Sequence, residues 1–285
     1  MAYVKKEDSL SYSRLSVFNK CEHLYNMQYN GMLNENKEIE FPARTTNMAM
    51  SFGNLFHRAV EHSLMSKTAL TFEQVLELLN EDEVKFVNTP ESKENYNNNV
   101  LRYIDMISEY VEKNNLKYVA HEFPLDVEFK QEFFAGNIDL SLYKKFNGSI
   151  DIIFKDSDDD ILLVDIKTAG YFYSNKLKTD SFTQYQLALY KYFYSVQENI
   201  STNNIKQAFF IINKDVKKNN FECVKITAGD KKIKNALEVV RQMINKSTKK
   251  NVPFFQNRKN CSFCDLNGTK FCRGANGMKN ILNNN

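Results

Sequence analysis

The sequence predicts a mixed α/β protein, and three features of the residue pattern support this. In the first 116 residues, apolar side chains recur at the three- and four-residue spacing of amphipathic helices. From residue 118 onward the pattern changes to alternation with period two, which is typical of strands. Residues 161–167 are almost continuously apolar, as expected for a strand in the middle of a sheet covered on both faces.

Helices are predicted over four segments of the N-terminal part. The hydroxyl of Ser11 or Ser13 can cap the first of them. In the last, Leu101, Ile104 and Ile107 repeat at helical spacing. The four segments are residues 9–30, 51–66, 71–87 and 95–114.

Strands and two further helices are predicted in the rest of the chain. The aspartates of residues 156–160 indicate a turn between two strands. The predicted strands are residues 118–129, 133–143, 149–154, 161–167, 206–213 and 221–227, and the helices are residues 182–198 and 230–247. This order divides the chain into an N-terminal helical part (1–116), a core (117–250) and an irregular C-terminal segment with its tail (251–285).

Composition narrows the class of protein. With 285 residues, of which 42% are hydrophobic and 26% charged, the chain can bury a sizeable core and is close to ordinary globular values. No apolar run reaches about 18 residues, so no membrane span is expected. The first ten residues lack the apolar core of a secretory signal, and a cytoplasmic location is therefore expected. The net charge of +3 favours an anionic partner only weakly.

A pair of aspartates and a lysine form the main functional pattern. Asp151 lies fourteen residues before Asp165, so the two fall on neighbouring strands of one predicted hairpin. Because residues two apart in a strand share a face, Asp165 and Lys167 point the same way and Ile166 points to the opposite face. Carboxylate oxygens bind Mg²⁺ or Mn²⁺, which activate water for phosphodiester hydrolysis, and a lysine can orient that water. The alternative is a structural salt bridge, and spacing alone does not decide between them.

These residues also resemble a known nuclease family. Gly148-Ser149-Ile150-Asp151 and Val164-Asp165-Ile166-Lys167-Thr168 look like the G-x-x-D and (D/E)-x-K-T elements of the RecB-like branch of the PD-(D/E)XK nucleases. Three further motifs of that branch occur in its order: the opening of residues 10–15, the G-x-x-x-H-x-x-x-E pattern of residues 53–61, and the Q-x-x-x-Y pattern of residues 186–190. The resemblance extends from about residue 9 to residue 272. It implies a restriction-endonuclease-like fold, with a mixed central sheet flanked by helices.

The resemblance also implies a role for each matched residue. The metal would be held by His57, Asp151, Asp165 and the main-chain carbonyl of Ile166. Lys167 would be the catalytic lysine, and Gln186 and Tyr190 would contact nucleic acid or order the site.

Two acidic residues near these motifs have alternative interpretations. Glu61 lies one helical turn beyond His57 and can equally pair with Arg58. Asp139 ends the similar sequence Gly136-Asn137-Ile138-Asp139. It is set aside because its gap of twenty-six residues to Asp165 is longer than the resemblance allows.

Five cysteines are present, an odd number that argues against a disulfide framework in this chain. Cys261, Cys264 and Cys272 give the spacing C-x₂-C-x₇-C, and Cys21 lies far upstream. Four thiolates hold either structural zinc or an iron–sulfur cluster, and spacing cannot separate the two. In AddB-type and CRISPR-adaptation RecB-like nucleases, one cysteine before the nuclease core and three after it hold a [4Fe–4S] cluster. The resemblance therefore implies such a cluster here, although the last gap is longer than is usual in that family.

The function that the sequence favours is metal-dependent exonuclease activity on single-stranded DNA ends, in recombination, repair or phage DNA processing. A bacterial or phage-encoded protein is expected. The alternative is a non-catalytic DNA-binding or scaffold subunit of a helicase–nuclease complex, and the complete set of motif residues argues against it. Because no G-x-x-x-x-G-K-[ST] motif is present, a helicase partner would be a separate chain.

Overall fold

The computed structural model describes residues 8–34, 36, 38–42, 48–169, 177–213, 221–249 and 252–272. The chain divides into two compact units. Residues within 1–44, 128–146 and 237–285 form the first, which we call the terminal unit. Residues within 45–127 and 147–236 form the second, which we call the sheet unit. The predicted tail beyond Cys272 lies outside the described residues.

The terminal unit begins with β1 (Ser9–Leu10), α1 (Tyr12–Lys20) and α2 (Glu22–Tyr29). The side chain of Ser11 accepts the Arg14 N–H and caps α1. The prediction of one helix over residues 9–30 is wrong, because Cys21 has extended backbone (φ −166°, ψ 114°) and separates α1 from α2. A short antiparallel hairpin, β2 (Met32–Leu33) and β3 (Ile39–Glu40), follows.

The strand predicted over residues 133–143 is also wrong. A 3₁₀ turn, Gln131–Phe133, is followed by irregular chain in which Gly136 has φ +90°. The backbone there bonds to a side chain instead of to a strand: Asn245 donates to the Asn137 carbonyl at 3.0 Å and accepts from the Asp139 N–H at 3.0 Å. The alternation of apolar residues was misleading because Phe134 and Tyr143 are buried by irregular structure.

The sheet unit carries most of the helices. They are α3 (Met48–Ser66), α4 (Phe72–Leu76), α5 (Glu81–Val87), α6 (Pro90–Asn95), α7 (Leu101–Lys113) and α8 (Ser181–Glu198). Residues 71–87 form two helices instead of one, because Thr71 and Asn80 each close a capping box with the residue three positions later. A π-helical segment, Tyr96–Val100, joins α6 to α7. The last helix, α9 (Asp230–Thr248), begins in this unit.

The sheet is mixed, as the sequence predicts. Its strands are β4 (Lys117–Glu128), β5 (Lys145–Lys155), β6 (Ile161–Ala169), β7 (Ile205–Asn213) and β8 (Phe221–Ile226). They follow the order β5-β6-β7-β8, with β4 also pairing with β5. The β6–β7 pair is parallel, and the β5–β6 and β7–β8 pairs are antiparallel. Lys145 and Phe146, at the start of β5, belong to the terminal unit and pair there in parallel with β1.

Helices flank both faces of this sheet. Alternate residues of β6 and β7, such as Val164 and Phe210, join residues of α3 and α7 in one hydrophobic cluster. Asp165 points to the opposite face, where α8 lies against β6 and β7. This arrangement explains the almost continuous apolar run of β6. Among the described residues, no helix is long and apolar enough to cross a membrane.

Candidate active site

Asp165 and Lys167 project from the same face of β6, as their spacing predicts. Lys167 Nζ lies 2.6 Å from Asp165 Oδ2, and Asp165 is only 2% exposed. Ile166, between them, has its side chain buried in the cluster on the other face. The predicted hairpin geometry therefore forms within the sheet unit.

The side chain of Asp151, on β5, contacts the backbone of β6 next to Asp165. The ladder between β5 and β6 runs from the pair Lys155–Ile161 to the pair Ile152–Val164 and stops just before Asp151. Where the ladder stops, Asp151 Oδ2 accepts the Ile166 N–H at 2.7 Å. The aspartate thus fixes both its own position and the backbone beside Asp165.

His57, on α3, lies next to Asp151. Its Nδ1 lies 3.5 Å from Asp151 Oδ2. Burial lowers the pKa of His57 to about 4, against the opposing effect of Asp165. The imidazole is therefore neutral at physiological pH, which is the form that binds a metal.

Gln186 and Tyr190 lie one turn apart on α8 and are both buried. Gln186 Nε2 donates to Asp165 Oδ1 at 2.5 Å and to the Tyr190 hydroxyl at 3.4 Å. The structure therefore brings the Q-x-x-x-Y residues against the carboxylate of β6.

Glu61 is a residue of the site whose role the sequence left open. Ligand atoms of His57, Glu61 and Asp151 lie within 4.8 Å of one another, and this is the metal-compatible group of His, Cys, Asp and Glu found among the described residues. Glu61 Oε2 has no hydrogen-bond partner there, since Arg58 Nη1 is 3.7 Å away. The helical spacing of His57 and Glu61 was the sequence signal that both share a face.

Glu122 of β4 is a residue that sequence reasoning missed. It has φ +44°, a left-handed backbone that is uncommon for a non-glycine residue and costs about 1 kcal/mol. Its carboxylate pairs with Arg58 and raises the pKa values of Glu61 and Asp151. No motif marks Glu122, so only the fold could reveal it.

Burial disfavours the ionised form of the carboxylates in this site. Burial raises the pKa of Asp151 and of Asp165 to about 6, with Lys167 opposing the shift in both. Burial, Asp151 and Glu122 raise the pKa of Glu61 to about 8. Four carboxylates face two cations here, a formal excess of two negative charges when all are ionised: Asp151, Asp165, Glu61 and Glu122 against Lys167 and Arg58. A divalent cation matches that excess, and oxygen and imidazole ligands suit Mg²⁺ or Mn²⁺.

A second group of candidate ligands lies in the terminal unit. One small cavity is lined by Cys21, Cys261, Cys264 and Cys272, which we call the four-cysteine cavity. The break between α1 and α2 places Cys21 there. All four are free thiols, and no three of their sulfurs form a group within 4.8 Å.

Hydrogen bonds hold the two chain segments of the four-cysteine cavity together. Asn257 N–H donates to Cys21 Sγ at 3.4 Å across the two segments, and within the C-terminal segment Gln256 Nε2 donates to Cys272 Sγ at 3.5 Å. Asn260 Nδ2 donates to the Lys20 carbonyl at 2.7 Å. The fifth cysteine, Cys223, lies in β8 and is half-buried.

The competing aspartate, Asp139, belongs to the terminal unit and is exposed. Its carboxylate accepts the Ser141 N–H at 3.0 Å, which holds its pKa below the usual value. It therefore serves as a matched reference for Asp151, because both follow a G-x-x pattern.

A mixed sheet that carries two aspartates and a lysine beside a histidine defines a class of metal-dependent hydrolytic sites. The family comparison identifies that class: a model of the PD-(D/E)XK nuclease superfamily matches residues 9–269. The chain belongs to this superfamily, and it is a nuclease by family.

A solved structure agrees on the fold. A protein from Eubacterium rectale described as a predicted exonuclease has a TM-score of 0.57 and 16% identity, covering 93% of this chain and 90% of its own. A second structure, of the protein SSO0001, covers 89% and 90% at 15% identity, but its TM-score of 0.34 carries no argument. No curated protein sequence matches this chain significantly.

Metal binding should strengthen as pH rises. The raised pKa values of Asp151, Asp165 and Glu61 mean that bound protons must leave before a cation enters. His57, with a pKa of about 4, is already neutral and adds no opposing dependence. Between pH 5.5 and pH 8, the Mn²⁺ concentration that half-saturates the rise in Tm should therefore fall, by up to about tenfold per pH unit for each proton released.

The matched variants for this titration are Asp151→Asn and Asp139→Asn. The first should lose most of the Mn²⁺-dependent rise in Tm, and the second should keep it. A half-saturating Mn²⁺ concentration that is the same at pH 5.5 and pH 8, or a rise in Tm that survives in Asp151→Asn, would contradict the assignment of the site.

Proposed function

We propose that this protein is a Mg²⁺- or Mn²⁺-dependent deoxyribonuclease of the RecB-like branch, acting as an exonuclease on ends of single-stranded DNA. One observation carries the proposal: Asp151, Asp165 and Lys167 converge with a neutral His57 at a buried cluster with excess negative charge. The description of the Eubacterium rectale protein as an exonuclease supports the same activity.

The side chains of the site have different roles in the proposed reaction. His57, Asp151, Asp165 and the carbonyl of Ile166 would hold the metal, and Glu61 adds a further carboxylate within reach of His57 and Asp151. A bound Mg²⁺ or Mn²⁺ supplies Lewis-acid polarisation of the phosphoryl oxygen and lowers the pKa of water. Lys167, held beside Asp165, is placed to orient the attacking water and to stabilise charge that develops on phosphate.

Gln186 and Tyr190 act as positioning residues in this proposal. Because both are buried and Gln186 bonds to Asp165, they are better placed to orient that carboxylate than to touch DNA. Of the two roles that the motif resemblance allows, ordering the site is the one that the contacts favour.

The biological setting that we propose is recombination, repair or phage DNA processing. A single-stranded end arises when a duplex is unwound or resected. These residues hold no phosphate-binding G-x-x-x-x-G-K-[ST] motif, so they carry no sequence signature for driving that unwinding.

We further propose that the four-cysteine cavity holds a [4Fe–4S] cluster, with residues 251–285 as the cluster-binding segment. Four thiolates suit either a tetrahedral zinc ion or an iron–sulfur cluster. The resemblance of the cysteine pattern to AddB-type and CRISPR-adaptation RecB-like nucleases supports the iron–sulfur cluster. The N–H groups aimed at Cys21 and Cys272 are the kind of hydrogen bonds that tune such clusters.

Cleavage should depend on Asp151 and not on Asp139. Asp151→Asn should lower the rate on end-labelled single-stranded DNA by at least about a hundredfold, because a metal ligand and the partner of Ile166 N–H are lost. Asp139→Asn should cut at the wild-type rate. Product ladders on a denaturing gel, with Mn²⁺ or with chelator, give the measurement. Cleavage that persists in Asp151→Asn, or in chelator, would refute the proposed active site.

The cysteines should separate into four that bind the cluster and one that does not. Protein purified without air should be brown and contain iron, and Cys21→Ser or Cys272→Ser should lose both properties. Cys223→Ser is the control and should stay brown, since Cys223 lies in β8 and outside the cavity lining. Metal analysis decides the matter, because zinc in place of iron would leave the nuclease proposal intact and end the cluster proposal.

A further inference from the structure

A pocket of about 370 Å³ in the sheet unit is not explained by the metal site. It lies between the first turns of α3, the junction of α6 and α7, and the ends of β6 and β7. Its volume is in the range of small-molecule sites, roughly 300–1,000 Å³. Its lining includes Thr168, the residue after Lys167, and Phe56, the residue before His57. Along the chain the pocket is therefore one residue from Lys167 and one from His57, and the Thr168 side chain lies on the sheet face opposite to that of Lys167.

The chemistry of the lining favours an uncharged, flat ligand. Phe52, Phe56 and Tyr103 supply aromatic walls, and the rings of Phe56 and Tyr103 meet edge to face at 6.1 Å. Among the described residues, the polar lining is made of hydroxyls and amides, with Glu91 as its one charged side chain. A carboxylate beside aromatic rings disfavours a phosphate and suits an uncharged nucleobase.

Two asparagines present a donor beside an acceptor in this pocket. Asn99 is buried in the π-helical segment, and its Nδ2 donates to Asn95 Oδ1 at 3.1 Å. In the part of the chain that the structure describes, that bond leaves the Asn95 amide hydrogens and the Asn99 amide oxygen for a ligand. A neighbouring donor and acceptor match the hydrogen-bonding edge of a base. Such π-helical segments are rare and frequently occur at functional sites.

We propose that this pocket receives one unpaired nucleobase of the DNA strand whose phosphate lies at the metal site. The proposal rests on the proposed nuclease function and adds the feature that selects the substrate. A base within a duplex cannot enter without being unstacked and unpaired, which costs free energy. A single strand has no pairing to break, so the pocket favours single-stranded over double-stranded DNA. Phe52, Phe56 and Tyr103 form the aromatic wall of the pocket.

The test moves an abasic nucleotide along a fluorescently labelled oligothymidine of about ten nucleotides, within the range of single-strand site sizes. Affinity is measured by anisotropy in chelator, so that no cleavage occurs. Wild-type protein should show one position at which loss of the base weakens binding by about fivefold or more, the lower end of measured base–aromatic stacking. Asn95→Ala should bind the intact strand more weakly and lose the positional dependence.

The matched control is Asn98→Ala, an exposed asparagine of the same π-helical segment that does not line the pocket. It should keep the wild-type profile. Asn99→Ala is a second variant, in case Asn95→Ala fails to fold by circular dichroism. The base-binding proposal is overturned if the affinity of wild-type protein does not depend on the position of the abasic nucleotide. It is also overturned if Asn95→Ala and Asn99→Ala keep the wild-type dependence.

The outcomes also separate this proposal from the nuclease proposal. If the protein cleaves DNA but its affinity does not depend on the abasic position, the base-binding proposal fails and the nuclease proposal stands. A sharp abasic profile without metal-dependent cleavage would leave a base-binding pocket in a protein that is not a nuclease on this substrate.

Discussion

The burial of Asp165 is the constraint on which the rest of the site depends. A carboxylate that is 2% exposed is costly unless partners compensate its charge and hydrogen bonds. Lys167 supplies the charge and Gln186 the hydrogen bond, and each comes from an element that the fold must bring into place. Gln186 lies on α8, the helix that connects β6 to its parallel neighbour β7. The pairing of β6 with β7 therefore helps to place Gln186 against Asp165. The remaining negative charge of Asp151 and Glu61 is what a divalent cation would neutralise.

The terminal unit contains the second group of candidate metal ligands, the four cysteines. Segments from the two ends of the sequence meet there around the four-cysteine cavity, through bonds such as Asn260 to Lys20. The apolar cluster beside the cavity includes Leu24, Met27 and Leu266. An iron–sulfur cluster that joined Cys21 to the C-terminal cysteines would close a very long loop and stabilise this unit by that constraint.

Sequence reasoning reached the sheet and the motif residues because period two and the spacing of Asp165 and Lys167 depend only on local geometry. It failed at residues 133–143, where apolar alternation is satisfied by irregular structure that Asn245 holds. It also could not place Glu122, whose approach to Arg58 depends on a left-handed residue inside a strand. Both failures involve contacts between residues distant in sequence, which no local pattern records.

The central claim is that His57, Asp151 and Asp165 surround one divalent cation. Crystals soaked in Mn²⁺ and measured for anomalous scattering test it most directly. We expect a strong peak bounded by the His57 imidazole and both aspartates, with Lys167 beside the ion. Absence of a peak there at saturating Mn²⁺ and pH 8, or a peak only at surface carboxylates such as Asp139, would contradict it.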